Sequence, residues 1–214
     1  MTTHRTRIKI CGIRDPATAS AAARAGADAI GLVFHPASPR AVEPDRARDI
    51  AQAVPAFVTV AGLFVNRDAA DVRAVLESVP LGMLQFHGEE PPEYCGQFGL
   101  PWIRAFRVGP GTDLLECERR FSRASGLLLD AQVPGQFGGT GTPFDWSLVP
   151  AALARPVVLS GGLDAGNVGA AIRAVRPWAV DVSSGVEAAR GVKDAALIEE
   201  FVRSVKDADA RAGG

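Results

Sequence analysis

The sequence predicts an α/β protein folded as a single-domain (β/α)8 barrel, and three observations carry that prediction. Eight short apolar or β-branched runs recur along the 214 residues, and the segments between them repeat apolar residues at three- and four-residue spacing. Strand–helix alternation of this kind builds a parallel sheet, and eight units of about 25 residues each are enough to close it. The first strand–helix turn, CGIRDP, lacks the G-x-G-x-x-G fingerprint of an open doubly wound sheet. No linker, low-complexity tract or charge block divides residues 1–214, and mobile ends are expected at 1–6 and 209–214.

The first strand is expected at RIKIC (7–11), followed by the helical segment PATASAAARAG, which Asp15-Pro16 starts and Gly26 stops. DAIGLVF (28–34) leads to EPDRARDIAQAV, with Pro44-Asp45 at its start. FVTVAGLF (57–64) leads to RDAADVRAVLESV, started by Asp68. GMLQF (82–86), WIRAF (102–106), GLLLD (126–130) and PVVLS (156–160) supply the next four strands. DAGNVGAAIRAV, beginning at Asp164, precedes the eighth strand, AVDVSS (179–184).

Composition narrows the function. With 23 basic and 24 acidic residues the formal net charge is −1, which argues against nucleic acid or an anionic membrane as partner. Cys11, Cys95 and Cys117 are an odd number without metal-ligand spacing, as free thiols in a reducing cytoplasm would be. The N-terminal MTTHRTRIKI has no apolar core of a secretory signal, and no apolar run approaches the roughly 20 residues of a bilayer span.

Barrel chemistry sits at the carboxyl ends of the strands, and polar residues gather there. The seventh and eighth strands run into LSGGL (159–163) and DVSSGVE (181–187). Glycine lets backbone N–H groups converge on an anion, and hydroxyls add donors. Gly161, Gly162, Ser183, Ser184 and Gly185 therefore form a candidate phosphate site, although ligand-free tight turns carry the same glycines. Asp181 shares the inward face of Ser183, where it either accepts from substrate hydroxyls or orients the loop.

Asp130 closes an apolar strand; if it points inward, so does Leu128, and the partly desolvated carboxyl is a candidate general acid. A loop-tethering carboxylate is the competing reading. Cys11 shares a strand face with Lys9 and Arg7, and a nearby ammonium biases a thiol toward thiolate. Small buried cysteines without a role are common, so this residue alone decides nothing. Arg40, ending HPASPR, offers a guanidinium for a carboxylate, while His35 and His87 are weaker binding candidates. Strands 6, 7, 8 and 1 are consecutive in a closed barrel. A phosphate held between 7 and 8 would thus place a sugar between Asp130 and Cys11.

Taken together, KICGI (9–13), GLVFHPASPR (31–40), AGLFVN (61–66), LQFHGEE (84–90), LLLD (127–130), GGTGTPFDW (138–146), LSGGL (159–163) and AVDVSSGVE (179–187) resemble the phosphoribosylanthranilate isomerases of tryptophan biosynthesis. The resemblance implies a (β/α)8 barrel performing an Amadori rearrangement with no metal or organic cofactor. Its partner is then a small molecule, a phosphorylated aminosugar carrying anthranilate, and the chain is a monomer or homodimer. By the same resemblance Cys11 is the general base, Asp130 the general acid and Arg40 the holder of the anthranilate carboxylate. The Gly161-Gly162 and Ser183-Ser184-Gly185 loops match the phosphate site, Asp181 a carboxylate near the ribose, and GGTGTPFDW an active-site loop leading to a sixth helix capped by Asp145. Two departures are visible: Phe86 replaces leucine in QLHG, and RGVKD (190–194) lacks a proline before its glycine. The related histidine-pathway isomerase carries aspartate where this chain has Cys11, and a non-catalytic phosphate binder would need neither Cys11 nor Asp130.

Overall fold

The computed structural model describes residues 5–131 and 144–212. Strands β1 (Arg7–Cys11), β2 (Ala29–Val33), β3 (Thr59–Phe64), β4 (Met83–Phe86), β5 (Trp102–Val108), β6 (Gly126–Ala131), β7 (Val157–Leu159) and β8 (Ala179–Val182) form a closed parallel barrel in sequence order. Closure comes from β8 pairing with β1, in a register that sets Lys9 opposite Asp181. Helices α1 (Pro16–Ala25), α2 (Pro44–Gln52), α3 (Ala69–Ser78), α4 (Pro92–Cys95), α5 (Leu114–Arg120), α6 (Val168–Val175) and α7 (Ala195–Ala212) cover the outside.

The two-residue period sorts each strand. On β1, Ile8 and Ile10 face the helices, whereas Lys9 and Cys11 face inward, and all four are buried. Below the site the barrel is plugged by Ile103, Ala105, Leu128, Val158 and Ala179. Leu128 in this plug puts Asp130, one inward step higher, at the mouth. The Phe86 departure is absorbed on the outer face, where its ring packs on Phe98, Tyr94 and Trp102 at 5.8 to 6.4 Å.

Several boundaries differ from the sequence expectation, each for a local reason. Phe57 has φ 72° and is fully exposed, so β3 begins only at Thr59. Asp164 does not start α6 but accepts from the N–H groups of Gly166 and Asn167, and Asn167 is the N-cap. Asp145 does cap a turn, accepting from Ser147 N–H, yet this is a single 3-10 turn over Trp146–Leu148 and not a helix. Pro150 and Pro156 deny a longer helix its hydrogen bonds there. Of GGTGTPFDW, residues 138–143 lie outside the described residues. After β8 the chain makes a 3-10 turn, Ser184–Val186, and then a small hairpin of β9 (Glu187–Ala189) and β10 (Val192–Lys193). Thr6, expected in a mobile end, is buried, and its N–H and hydroxyl both donate to Asp209 at 2.8 and 2.7 Å.

Candidate active site

A cleft at the carboxyl end of the barrel is lined by residues that include His35, Arg40, His87, Asp130, Asp181 and Ser183. Four separate strand ends or loops deliver these side chains. Cys11 lies at the end of β1, 6% exposed. Its position depends on Gly31 in the facing strand: a Cβ there would sit 2.8 Å from the Cys11 Sγ and 3.1 Å from the Lys9 Nζ.

Lys9 is buried and donates to Asp181 Oδ1 at 2.8 Å. Burial opposes its charge, but the Asp181 carboxylate and the Cys11 sulfur more than offset this and hold the ammonium up to about 12. For Cys11 the balance runs the other way. Burial pushes the thiol up, Lys9 and Lys193 pull it down, Asp181 pushes it up again, and the net shift is upward. The sequence expectation that Lys9 favours thiolate is thus right in sign, while desolvation wins. In a Cys95→Ser, Cys117→Ser background, Lys9→Met is expected to move the midpoint of Cys11 alkylation to higher pH. An alkylation-rate profile that does not move would remove Lys9 as an influence on the thiol. Because Lys9→Met strands a buried carboxylate, it should also cost about 3–5 kcal/mol of stability.

Asp130 is 4% exposed at the end of β6. Its Oδ1 accepts from the Ala131 N–H at 2.9 Å, and Oδ2 lies 3.3 Å from His87 Nε2 without hydrogen-bond alignment. Gln85 Nε2 donates to His87 Nδ1 at 3.2 Å, an arrangement that leaves the imidazole proton on Nε2, facing Asp130. Asp181 is buried beside these groups; burial pushes its carboxyl up, Lys9 pulls it down, and the neighbouring Asp130 adds to the upward shift.

The β7 and β8 loops converge as expected. Gly161 and Gly162 have φ 85° and 64°, and a Cβ at Gly161 would collide with the Ala131 N at 2.4 Å. Asn167 Nδ2 donates to the Gly162 carbonyl at 2.7 Å, tying this loop to the start of α6. Gly185 is pressed on the Leu163 carbonyl, 2.0 Å from its would-be Cβ, so the two glycine loops touch. Ser183 Oγ donates to the Cys11 carbonyl at 3.1 Å, and Ser184 opens the 3-10 turn.

Arg40 reaches the cleft, but its two-pronged geometry is taken by a protein carboxylate. Nε and Nη2 donate to Glu187 Oε1 and Oε2 at 2.7 and 2.9 Å. Burial works against the Glu187 charge, but Arg40, Lys193 and the Gly191 N–H hold its carboxyl down at about 2. With its folded value below the ordinary one of 4.5, the pair's contribution is complete above that value and fades only as pH falls toward 2. Sequence reasoning quoted Glu187 and Lys193 within motifs and assigned neither a role. It also missed Glu90 and Arg104, a buried pair 3.4 Å apart that shapes the β4 loop. Glu90 accepts from the Asn66 and Gly88 N–H groups, and Arg104 donates to the Phe86 and Gly88 carbonyls, fixing the loop that carries His87.

A family model described as N-(5'-phosphoribosyl)anthranilate (PRA) isomerase matches residues 8–204. The chain belongs to the phosphoribosylanthranilate isomerase family. An N-(5'-phosphoribosyl)anthranilate isomerase of Ralstonia nicotianae is 56% identical over 226 aligned positions, covering 100% of this chain and 98% of that one. One from Pseudomonas putida is 57% identical over 94% of this chain and 98% of its own length. Among solved structures, the phosphoribosyl anthranilate isomerase of Thermotoga maritima superposes with a TM-score of 0.87 at 41% identity, over 94% and 99% of the two chains. A further phosphoribosyl anthranilate isomerase structure, in complex with reduced 1-(o-carboxyphenylamino)-1-deoxyribulose 5-phosphate, superposes with a TM-score of 0.84 at 39% identity over the same shares.

Proposed function

We propose that the chain converts N-(5-phosphoribosyl)anthranilate into 1-(2-carboxyphenylamino)-1-deoxyribulose 5-phosphate, the third step from chorismate in tryptophan biosynthesis, with Asp130 as acid and Cys11 as base. The observation that carries the residue assignment is the order of the strand ends around the closed barrel: Asp130 on β6, glycine loops on β7 and β8, and Cys11 on β1. Phosphate held by Gly161, Gly162, Ser183, Ser184 and Gly185 directs the sugar across the arc between acid and base.

Asp130 gives a proton to the furanose ring oxygen, and the C1′–O bond breaks to leave an iminium at C1′. The Cys11 thiolate then takes the proton from C2′, acidified by that iminium, and the electron pair moves into an enolamine. Reprotonation at C1′ and loss of the enol proton give the ketone, so no atom is gained or lost overall. Each positioned acid or base supplies about 10² to 10⁴-fold, and the phosphate grip supplies orientation. Asp181, held by Lys9, faces the ribose hydroxyls. Arg40 meets the anthranilate carboxylate with the Nη edge that Glu187 leaves open.

The test is a coupled turnover assay on freshly generated phosphoribosylanthranilate beside the histidine-pathway aminoaldose phosphate. Turnover of the first that survives exhaustive chelation is expected; turnover of the second alone, or a metal requirement, would overturn the reading. No described helix is long and apolar enough to cross a membrane, and three free thiols fit a cytoplasmic enzyme. Assembly is as monomer or homodimer, which sedimentation equilibrium separates; the exposed Phe57, beside Val54 and Leu81, is the apolar surface a second copy would cover.

A further inference from the structure

Arg40, Glu187 and Lys193 form a buried triad with side chains 11%, 5% and 2% exposed. Such a triad is an expensive way to fill space, since apolar side chains of similar volume pack there at no desolvation cost. Its geometry points instead to orientation. Glu187 takes Nε and one side of Nη2, which directs the remaining Nη donors of Arg40 away from the hairpin. The aliphatic part of Arg40 is fixed as well: a Cβ on Gly12 would lie 2.5 Å from its Cδ. The hairpin that carries Glu187 is held against the Arg40 loop, with the Gly191 Cα so close to the Pro39 carbonyl that a Cβ would come within 2.7 Å. Lys193 Nζ completes the brace, donating to Glu187 Oε1, the Ser183 carbonyl and Ser183 Oγ at 2.8, 2.9 and 3.1 Å.

We propose that Glu187 is a positioning residue for substrate selection. It holds the Arg40 guanidinium so that its Nη edge meets the aryl carboxylate, and sets the preference for a carboxylated aglycone without touching the substrate. This rests on the isomerase reading above. Two further features agree with it. Glu187 stays ionised across any workable assay pH, so the alignment does not titrate away. Lys193 leaves the triad net positive, as an anion-facing device requires.

The experiment compares N-(5-phosphoribosyl)anthranilate with N-(5-phosphoribosyl)aniline, which lacks the ortho carboxylate, for the wild type, Arg40→Gln, Glu187→Gln and the double variant. Glu187→Gln should raise KM for the anthranilate substrate about tenfold or more, change kcat by less than about threefold, and leave kcat/KM for the aniline substrate unaltered. On an Arg40→Gln background the Glu187 change should add nothing, because the group it positions is gone. Equal losses on both substrates, additive losses in the double variant, or an unchanged anthranilate KM would each overturn the proposal. Glu187→Asp keeps the charge on a shorter arm and should fall between wild type and Glu187→Gln, which keeps the test open if the amide variant folds poorly. A wild type inactive on the anthranilate substrate would instead sink the isomerase reading itself.

Discussion

Replacing Cys11 with alanine is expected to lower kcat by at least about 10²-fold while the barrel stays folded. The side chain removed is one sulfur atom at the end of β1, opposite Gly31, so the packing loss is on the order of 1 kcal/mol. Thermal unfolding should therefore move by only a few degrees, which separates a chemical loss from a structural one. The wild type carries a second signature. Burial pushes the thiol above its ordinary value, which favours its protonated form in the free enzyme. In a Cys95→Ser, Cys117→Ser background the rate of Cys11 alkylation should accordingly climb with pH through the neutral range and beyond it. Near wild-type turnover in Cys11→Ala would remove the residue from the mechanism, whatever the pH profile.

Asp130→Asn is expected to cost at least about 10²-fold in kcat with little change in KM, because the amide keeps the shape but has no acidic proton to give. The local structure supports a clean exchange. The amide oxygen can still accept from the Ala131 N–H, which leaves the NH2 group toward His87 Nε2. With the imidazole proton on Nε2, two donors then face each other, so a modest fall in melting temperature is expected. Steady-state kinetics with circular dichroism on the same preparation check both statements. A variant with wild-type kcat would reassign the acid, and His87 is then the group to replace next.

The sequence marked these two residues as candidates for a physical reason, while the roles of base and acid came from the family resemblance. Strands of a closed parallel barrel are buried on both faces, so a thiol or carboxyl ending an apolar run stands out, and RIKIC and GLLLD did so. The strands themselves were legible for the same reason. The miss at Phe57 came from an apolar residue placed on a left-handed turn, which a hydropathy pattern does not register. The helix expected after Asp145 is a single 3-10 turn among the described residues, because Pro150 removes a hydrogen bond it would need. Glu187 and Lys193 stayed without a role because the stretch EAARGVK reads as an exposed loop. Nothing local in it announces a carboxylate folded back onto an arginine 147 residues away.

The sequence by itself determined the alternation of strand and helix, and hence the barrel, several of the residues at its mouth and the family. What only the tertiary structure decided is who partners whom at that mouth. Lys9 is matched with Asp181 across 172 residues because β8 closes on β1, and Arg40 is engaged by Glu187 because the hairpin after β8 folds over the β2 loop. Charge balance at a buried site depends on distances of a few ångströms, and those are set by closure and register, which no local pattern in the chain encodes.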